Sequence, residues 1–222
     1  RAWGEEAPVR RSQRLERQQR QAQRRERLRR RLEELCTAAR RRVQEAHVAM
    51  AKLGLQRGSL LVASPQQDGL FAQAVVLLLR LEVAQVCGVI LTGGPGGPED
   101  AASGSSTLLH ALGDLSGNSG GLLPVGGLYA EERLTRSAAA HMLKHLDGMG
   151  DTAAIQGHCV WPTAELLAEV ESGQWSVATW GADEAQRWLR EYAATETGTS
   201  DLWQRACNQW PPCKRCSASA VS

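Results

Sequence analysis

From Arg10 to Leu53 the chain contains neither glycine nor proline, and Arg, Gln, Glu, Leu and Ala dominate the stretch. These residues lose little side-chain freedom in a helix, so one helix of about 40 residues is predicted. Its second half carries an apolar stripe at Leu28, Leu32, Leu35, Ala39, Val43, Ala46, Met50 and Leu53. The 4-3-4-4-3-4-3 spacing places them on one face, which should pack against the rest of the chain or against a partner helix. Before Leu28 the stripe thins to Leu15 and Ala22 while arginine crowds every side. That first half has nothing with which to build a core. It must be solvated or held by something negative.

Charge is distributed to match. Residues 1–45 hold 15 Arg, no Lys and seven Glu, a formal charge of +8. The whole chain sums to only +2, so residues 46–222 carry −6. A basic arm is joined to a mildly acidic body. No apolar run approaches the roughly 18–20 residues of a membrane span. The six cysteines, at 36, 87, 159, 207, 213 and 216, are scattered, unlike a secreted disulfide framework, so reduced thiols in an intracellular compartment are expected. The first residue is Arg rather than Met, which fits a trimmed N-terminus, and Arg-rich leaders are typical of organelle import. The arm holds too many glutamates to be such a leader itself.

Gly54 should stop the helix. Beyond it, strands are predicted at Gly58–Ser64, Ala74–Leu79 and Val86–Leu91, with a turn at Pro65–Gly69. Gly93–Pro98, continuing through Ser103 to Ser106, reads as a loop. Thr107–Leu112 is assigned to a short helix, Ser116–Gly121 to a glycine-rich loop and Leu122–Leu128 to a strand. Glu131–Leu146 reads as an amphipathic helix with Leu134, Ala138, Met142 and Leu146 on one side. A strand at Ala153–His158, a helix at Thr163–Glu171, a strand at Trp175–Thr179 and helices at Asp183–Tyr192 and Asp201–Trp210 follow. This order implies an α+β fold, one mixed-sheet domain flanked by helices and preceded by the long basic helix. The expected divisions are a helical arm over 1–53, the α+β domain over 54–210, and an irregular cysteine-containing tail over 211–222.

Several stretches resemble the bacterial YqgE/AlgH family. Gly58-Ser-Leu-Leu-Val-Ala-Ser-Pro65, Phe71 and Val75-Val-Leu-Leu-Leu79 are similar to its opening strand, turn and second strand. Cys87-Gly-Val-Ile-Leu91 resembles its third strand, and Pro124-Val-Gly-Gly127 its P-V-x-x-G-G-P segment. Gly157-His-Cys-Val-Trp161, Glu165-Leu-Leu-Ala-Glu-Val170 and Gln174-Trp175 follow its G-Y-x-G-W motif and the helix after it. Asp201-Leu-Trp-Gln-Arg-Ala206 resembles its closing helix. The matches keep their order from about 58 to 207 and imply a compact α+β fold with no established enzymatic mechanism. Two departures are plain. Thr92-Gly-Gly94 stands where the family has N-R-P, and Gly157-His158-Cys159-Val160-Trp161 where it has G-Y-x-G-W. Polar residues of any ancestral pocket are thus largely lost, and the basic arm lies outside the resemblance.

The chemical motifs are weak. Gly117-Asn-Ser-Gly-Gly121 superficially matches a serine-protease loop, but too little chain precedes Ser119 to supply the His and Asp partners in that fold. Gly93–Pro98 lacks a following Lys-Ser/Thr, and its prolines interrupt a phosphate nest. Cys207, Cys213 and Cys216 could offer three thiolates to zinc with His158 as a fourth ligand, but the spacing lacks paired hooks. His141 and His145 sit one helical turn apart without a third ligand, and His47 and His110 stand alone. No catalytic residue, metal, cofactor or small-molecule substrate is expected.

The arm carries the functional signal. Arginine without lysine favours a planar, bidentate, stackable cation over a simple solubilising charge. Such side chains suit phosphate oxygens and unpaired bases. Arg10, Arg11, Arg14, Arg17, Arg20, Arg24, Arg25, Arg27, Arg29, Arg30 and Arg31 are the expected RNA contacts. A solvated helix tied by pairs such as Glu16–Arg20 and Glu26–Arg30 is the plainer alternative. The expectation is a non-catalytic structural subunit of a large ribonucleoprotein, an organellar and specifically mitochondrial ribosome, with plastid as the other location. Its partners would be rRNA and neighbouring proteins, the latter meeting the glycine-rich loops and a tryptophan-rich C-terminal surface. The alternatives are an accessory subunit of a respiratory or photosynthetic membrane complex, or a ligand-binding module.

Overall fold

The computed structural model describes residues 6–92, 105–111, 121–122, 128–146, 152–156, 158–195 and 201–209. The chain divides into two compact units, Arg1–Ala46 and His47–Ser222. The division falls inside the first helix, α1 (Glu6–Lys52), earlier than the expected boundary at Leu53. Met50 and Leu55 are the reason, since both are buried in the core of the second unit. The expected tail, 211–222, lies outside the described residues.

In the first unit α1 is one uninterrupted helix, as its composition predicts. The whole of α1 is about 70 Å long at 1.5 Å per residue. Arg29–Glu33 (3.0 Å), Glu26–Arg30 (3.1 Å) and Arg41–Glu45 (3.5 Å) are i,i+4 pairs along it.

The second unit is α+β. Its strands are β1 (Leu60–Ala63), β2 (Val75–Leu81), β3 (Gln85–Ile90), β4 (Ser105–His110), β5 (Gly121–Leu122), β6 (Tyr129–Thr135), β7 (Thr152–Gln156), β8 (His158–Pro162) and β9 (Trp175–Ala178). The helices are α2 (Arg136–Leu146), α3 (Thr163–Glu171), α4 (Ala182–Thr195) and α5 (Leu202–Gln209). Two antiparallel sheets form, ordered β8-β3-β2-β1-β9 and β5-β6-β4-β7.

The apolar run of β2 lies at the centre of the larger sheet, and Val75 to Leu79 have no exposed surface. A strand reads as a continuous apolar run when both faces are covered. Leu60, Val62, Val75, Leu77 and Val89 share one face with the small sheet's Leu109, Ala130 and Ile155 and with Trp188 and Leu189 of α4. On the other face, Phe71 stacks on Trp161 (5.4 Å) and meets Trp175 edge-on (5.4 Å). The Trp175 indole N–H donates to the Glu169 carboxylate of α3 at 2.8 Å.

Three expectations fail. Thr107–Leu112 is not a helix, because Ser105–His110 is strand β4 between β6 and β7, with Thr107 to His110 fully buried. Pairing on both edges outweighs the weak local preference of Ser-Ser-Thr-Leu-Leu-His. Glu131–Thr135 does not open the helix assigned to Glu131–Leu146 but belongs to β6. The Thr135 hydroxyl accepts the Ala138 N–H at 3.2 Å, an N-cap that starts α2 at Arg136. The strand expected at Ala153–His158 ends at Gln156, and His158 opens β8 in the other sheet. Of the strand expected at Leu122–Leu128, Leu122 lies in β5 and Leu128 just before β6, while 123–127 lie outside the described residues.

Candidate nucleic-acid interface

All eleven arginines expected to contact RNA lie on α1. The side chains of Arg10, Arg11 and Arg14 fall outside the described residues. Arg17, Arg20, Arg24, Arg25, Arg27, Arg29, Arg30 and Arg31 are exposed. Residues 10–31 hold eleven arginines and two glutamates, so two acids cannot neutralise them. At about 100° per residue, the heptad-spaced Arg10, Arg17, Arg24 and Arg31 form one near-axial row. Arg20 and Arg27 lie beside that row. The element therefore presents a long cationic ridge, with Arg29 and Arg30 held towards Glu33 and Glu26.

The small sheet holds a polar cluster that sequence reasoning passed over. His110 and Glu131 are buried, with exposures of 0% and 2%. His110 Nε2 lies 3.8 Å from Glu131 Oε1, ion-pair range but too long for a hydrogen bond. Its imidazole stacks on Tyr129 at 5.6 Å. Neither ring nitrogen has a hydrogen-bond partner among the described residues. Burial lowers the His110 pKa below 6.5, and the Glu131 charge opposes that shift without reversing it. Thr107 Oγ1 and His158 Nε2 are 2.9 Å apart and tie β4 to β8, one strand from each sheet. A helix over Thr107–Leu112 and another from Glu131, as the local sequence suggests, would place these side chains on the wrong faces, and only their pairing as β4 and β6 brings them together.

The other candidates resolve as follows. His158, considered as a zinc ligand, is engaged with Thr107, and Cys213 and Cys216 lie outside the described residues. Cys207 is half-buried, its thiol pKa raised by burial. Cys159, inside the Gly157–Trp161 motif, is buried and its pKa pushed up to about 12, a thiol rather than a thiolate. His141 and His145 meet through Nε2 at 3.0 Å on the exposed side of α2. Among the described residues no group of three His, Cys, Asp or Glu side chains could hold a metal ion. Gly93–Pro98 and most of Gly117–Gly121 lie outside the described residues.

The expected tryptophan-rich surface is mostly interior. Trp161, Trp175, Trp180 and Trp188 are all under 7% exposed, and the partly buried Trp203 donates its N–H to the Ala63 carbonyl at 2.9 Å. A groove of about 370 Å³ between α4 and α5 is floored by Trp180 and Trp188, with Glu184, Arg187 and Arg205 among its lining. Arg205 is committed to Glu191 (2.8 Å) and Asp201 (3.4 Å), which leaves the rim without a charge bias towards any ligand. Among the described residues no helix is long and apolar enough to cross a membrane.

No family model and no curated protein matches the chain. Solved structures similar to it include the following two. One is the crystal structure of protein DIP2367 from Corynebacterium diphtheriae, at 18% identity and a TM-score of 0.47, covering 71% of this chain and 91% of that one. The other is the solution structure of the AlgH protein from Pseudomonas aeruginosa, at 14% identity and a TM-score of 0.48, covering 75% of this chain and 94% of that one.

Proposed function

We propose that the chain is a non-catalytic structural subunit of a large ribonucleoprotein, anchored to RNA by the arginines of α1. The exposed ridge from Arg17 to Arg31 carries this reading. A helix with so many unneutralised guanidinium groups favours polyanion contact, and a phosphate backbone supplies it. The body offers packing in place of chemistry. Its buried His110–Glu131 pair is enclosed, which favours an internal role over work on a bound substrate. An organellar ribosome, mitochondrial before plastid, is the assembly to test first.

The test is gradient sedimentation of the tagged protein from detergent-solubilised organelles, with and without RNase. Co-migration with rRNA that collapses after RNase supports the reading. A large particle indifferent to RNase would move the protein to a membrane complex, and migration as a small free protein would overturn both. Replacing Arg24, Arg25, Arg29 and Arg30 by Glu should release the chain from RNA without unfolding the body. Six or more phosphate contacts along the ridge would make affinity fall by about 10³-fold or more between low and physiological salt, and the fourfold replacement should flatten that dependence. RNA association that survives the fourfold replacement would sink the claim.

A further inference from the structure

We propose that the Leu28–Val43 face of α1 binds an amphipathic helix whose own apolar stripe is bordered by Asp and Glu, a protein contact that shares Arg24, Arg25 and Arg31 with the RNA contact proposed above and so competes with it. The stripe is real surface, with Leu28, Leu32 and Leu35 exposed by 60%, 63% and 60% and Val43 by 38%. Water-facing leucines at 4-3 spacing, continued by Ala39 four residues on, form the seam geometry of a two-helix coil. The following step of four, from Ala39 to Val43, is a stutter that locally unwinds the supercoil while keeping the seam in register.

Charge identifies the occupant. At about 100° per residue, Leu28, Leu32, Leu35, Ala39 and Val43 span a sector of about 80°. Arg24, Arg31 and Arg42 border it on one side and Arg25 on the other. Glu26, Glu33, Glu34 and Glu45 all lie about 120° or more from the centre of the sector, on the far side of the helix. Three of these glutamates are matched along the helix by Arg30, Arg29 and Arg41. Arg24, Arg25, Arg31 and Arg42 have no ion-pair partner among the described residues. The seam is thus walled by unmatched positive charge, and the flanks that complement it are acidic.

Other occupants fit less well. RNA would meet the arginines but leave the leucines against water. A second copy of this chain would bring arginine flanks against arginine flanks in either orientation. An interfacial membrane helix uses a broad apolar face with aromatic anchors. This stripe is narrow, and residues 10–53 contain no Phe, Tyr or Trp.

The test uses the full chain and two synthetic helical peptides with leucine at the seam positions, one flanked by Glu and one by Lys. The Glu-flanked peptide should bind at least about tenfold tighter, and Leu32→Glu should weaken it by about tenfold or more. Replacing Arg24, Arg25, Arg31 and Arg42 by Glu should invert the preference, with helicity by circular dichroism unchanged. Equal affinity for both peptides, binding of neither, or indifference to Leu32→Glu overturns the proposal. Self-association abolished by Leu32→Glu would give the face to a second copy. Displacement of the Glu-flanked peptide by phosphatidylserine vesicles would give it to a membrane surface. RNA affinity is measured on a Leu32→Ala chain, which leaves the charge of the ridge unaltered, and should be unchanged, so failure of the helix contact and failure of the RNA contact are read separately.

Discussion

At Gly88 the larger sheet closes so tightly that only hydrogen fits. A Cβ there would lie 2.7 Å from Val76 Cγ1 and 2.8 Å from the Leu77 carbonyl oxygen. The second contact is with backbone, which cannot rotate away. Overpacking of this kind costs about 1–3 kcal/mol, and Gly88→Ala should fall at the upper end. The check is a urea titration: the midpoint should drop while the slope stays constant, and an unmoved midpoint would mean that the strands separate freely. Thr92 is a buried polar residue with local work to do. Its buried hydroxyl accepts the Val75 N–H at 3.0 Å and donates to the Gln73 carbonyl at 3.2 Å, securing the start of β2 beside the left-handed Gln73 (φ 57°). A sequence shows a threonine before two glycines. It does not show that the threonine has become a bracket between two strands.

Elements differ in how far their ends were legible. The C-terminus of α1 was, because Gly54 adopts φ 73° and closes a Schellman motif. The Leu55 N–H donates to the Met50 carbonyl at 2.9 Å and the Gly54 N–H to that of Ala51 at 3.1 Å. A Cβ at Gly54 would make only ordinary contact with Val177, 3.9 Å away. The penalty for Gly54→Ala is therefore conformational, about 1–2 kcal/mol for a left-handed alanine. Thermal unfolding should show a lower Tm for Gly54→Ala and a smaller loss for Gly54→Asn. Equal losses would argue against the cap as the cause. The start of α2 was misjudged despite Thr135, a good N-cap, because Leu134 fits the helical period by coincidence. In the structure Leu134 lies on β6 opposite Ser106. Side chains at period two and period 3.6 overlap over so short a span, and pairing with β4 settles the matter.

For the whole molecule, strand pairing places His110 in the interior of the small sheet beside Glu131 and Tyr129. His110 has a folded-state pKa below its ordinary 6.5 because burial disfavours the imidazolium. The native state therefore binds this proton less readily than the unfolded chain. Its contribution to stability is fully present above about pH 6.5 and is lost as pH falls from there towards the lowered folded value. Urea midpoints measured from pH 7.5 down to pH 5 should decline more steeply for the natural protein than for His110→Gln, and parallel profiles would refute the assignment. The sequence by itself determined the long run of α1 without glycine or proline, its glycine stop, the cationic ridge, and the buried strand β2. Those follow from local propensity and from runs of one residue character, which need no knowledge of distant chain. Only the tertiary structure decided that Thr107–His110 is strand, that four of the tryptophans are interior, and that His110, Glu131 and Tyr129 share one sheet. These depend on which strands pair across tens of residues, and the energy of that pairing exceeds the small local preferences that a sequence displays.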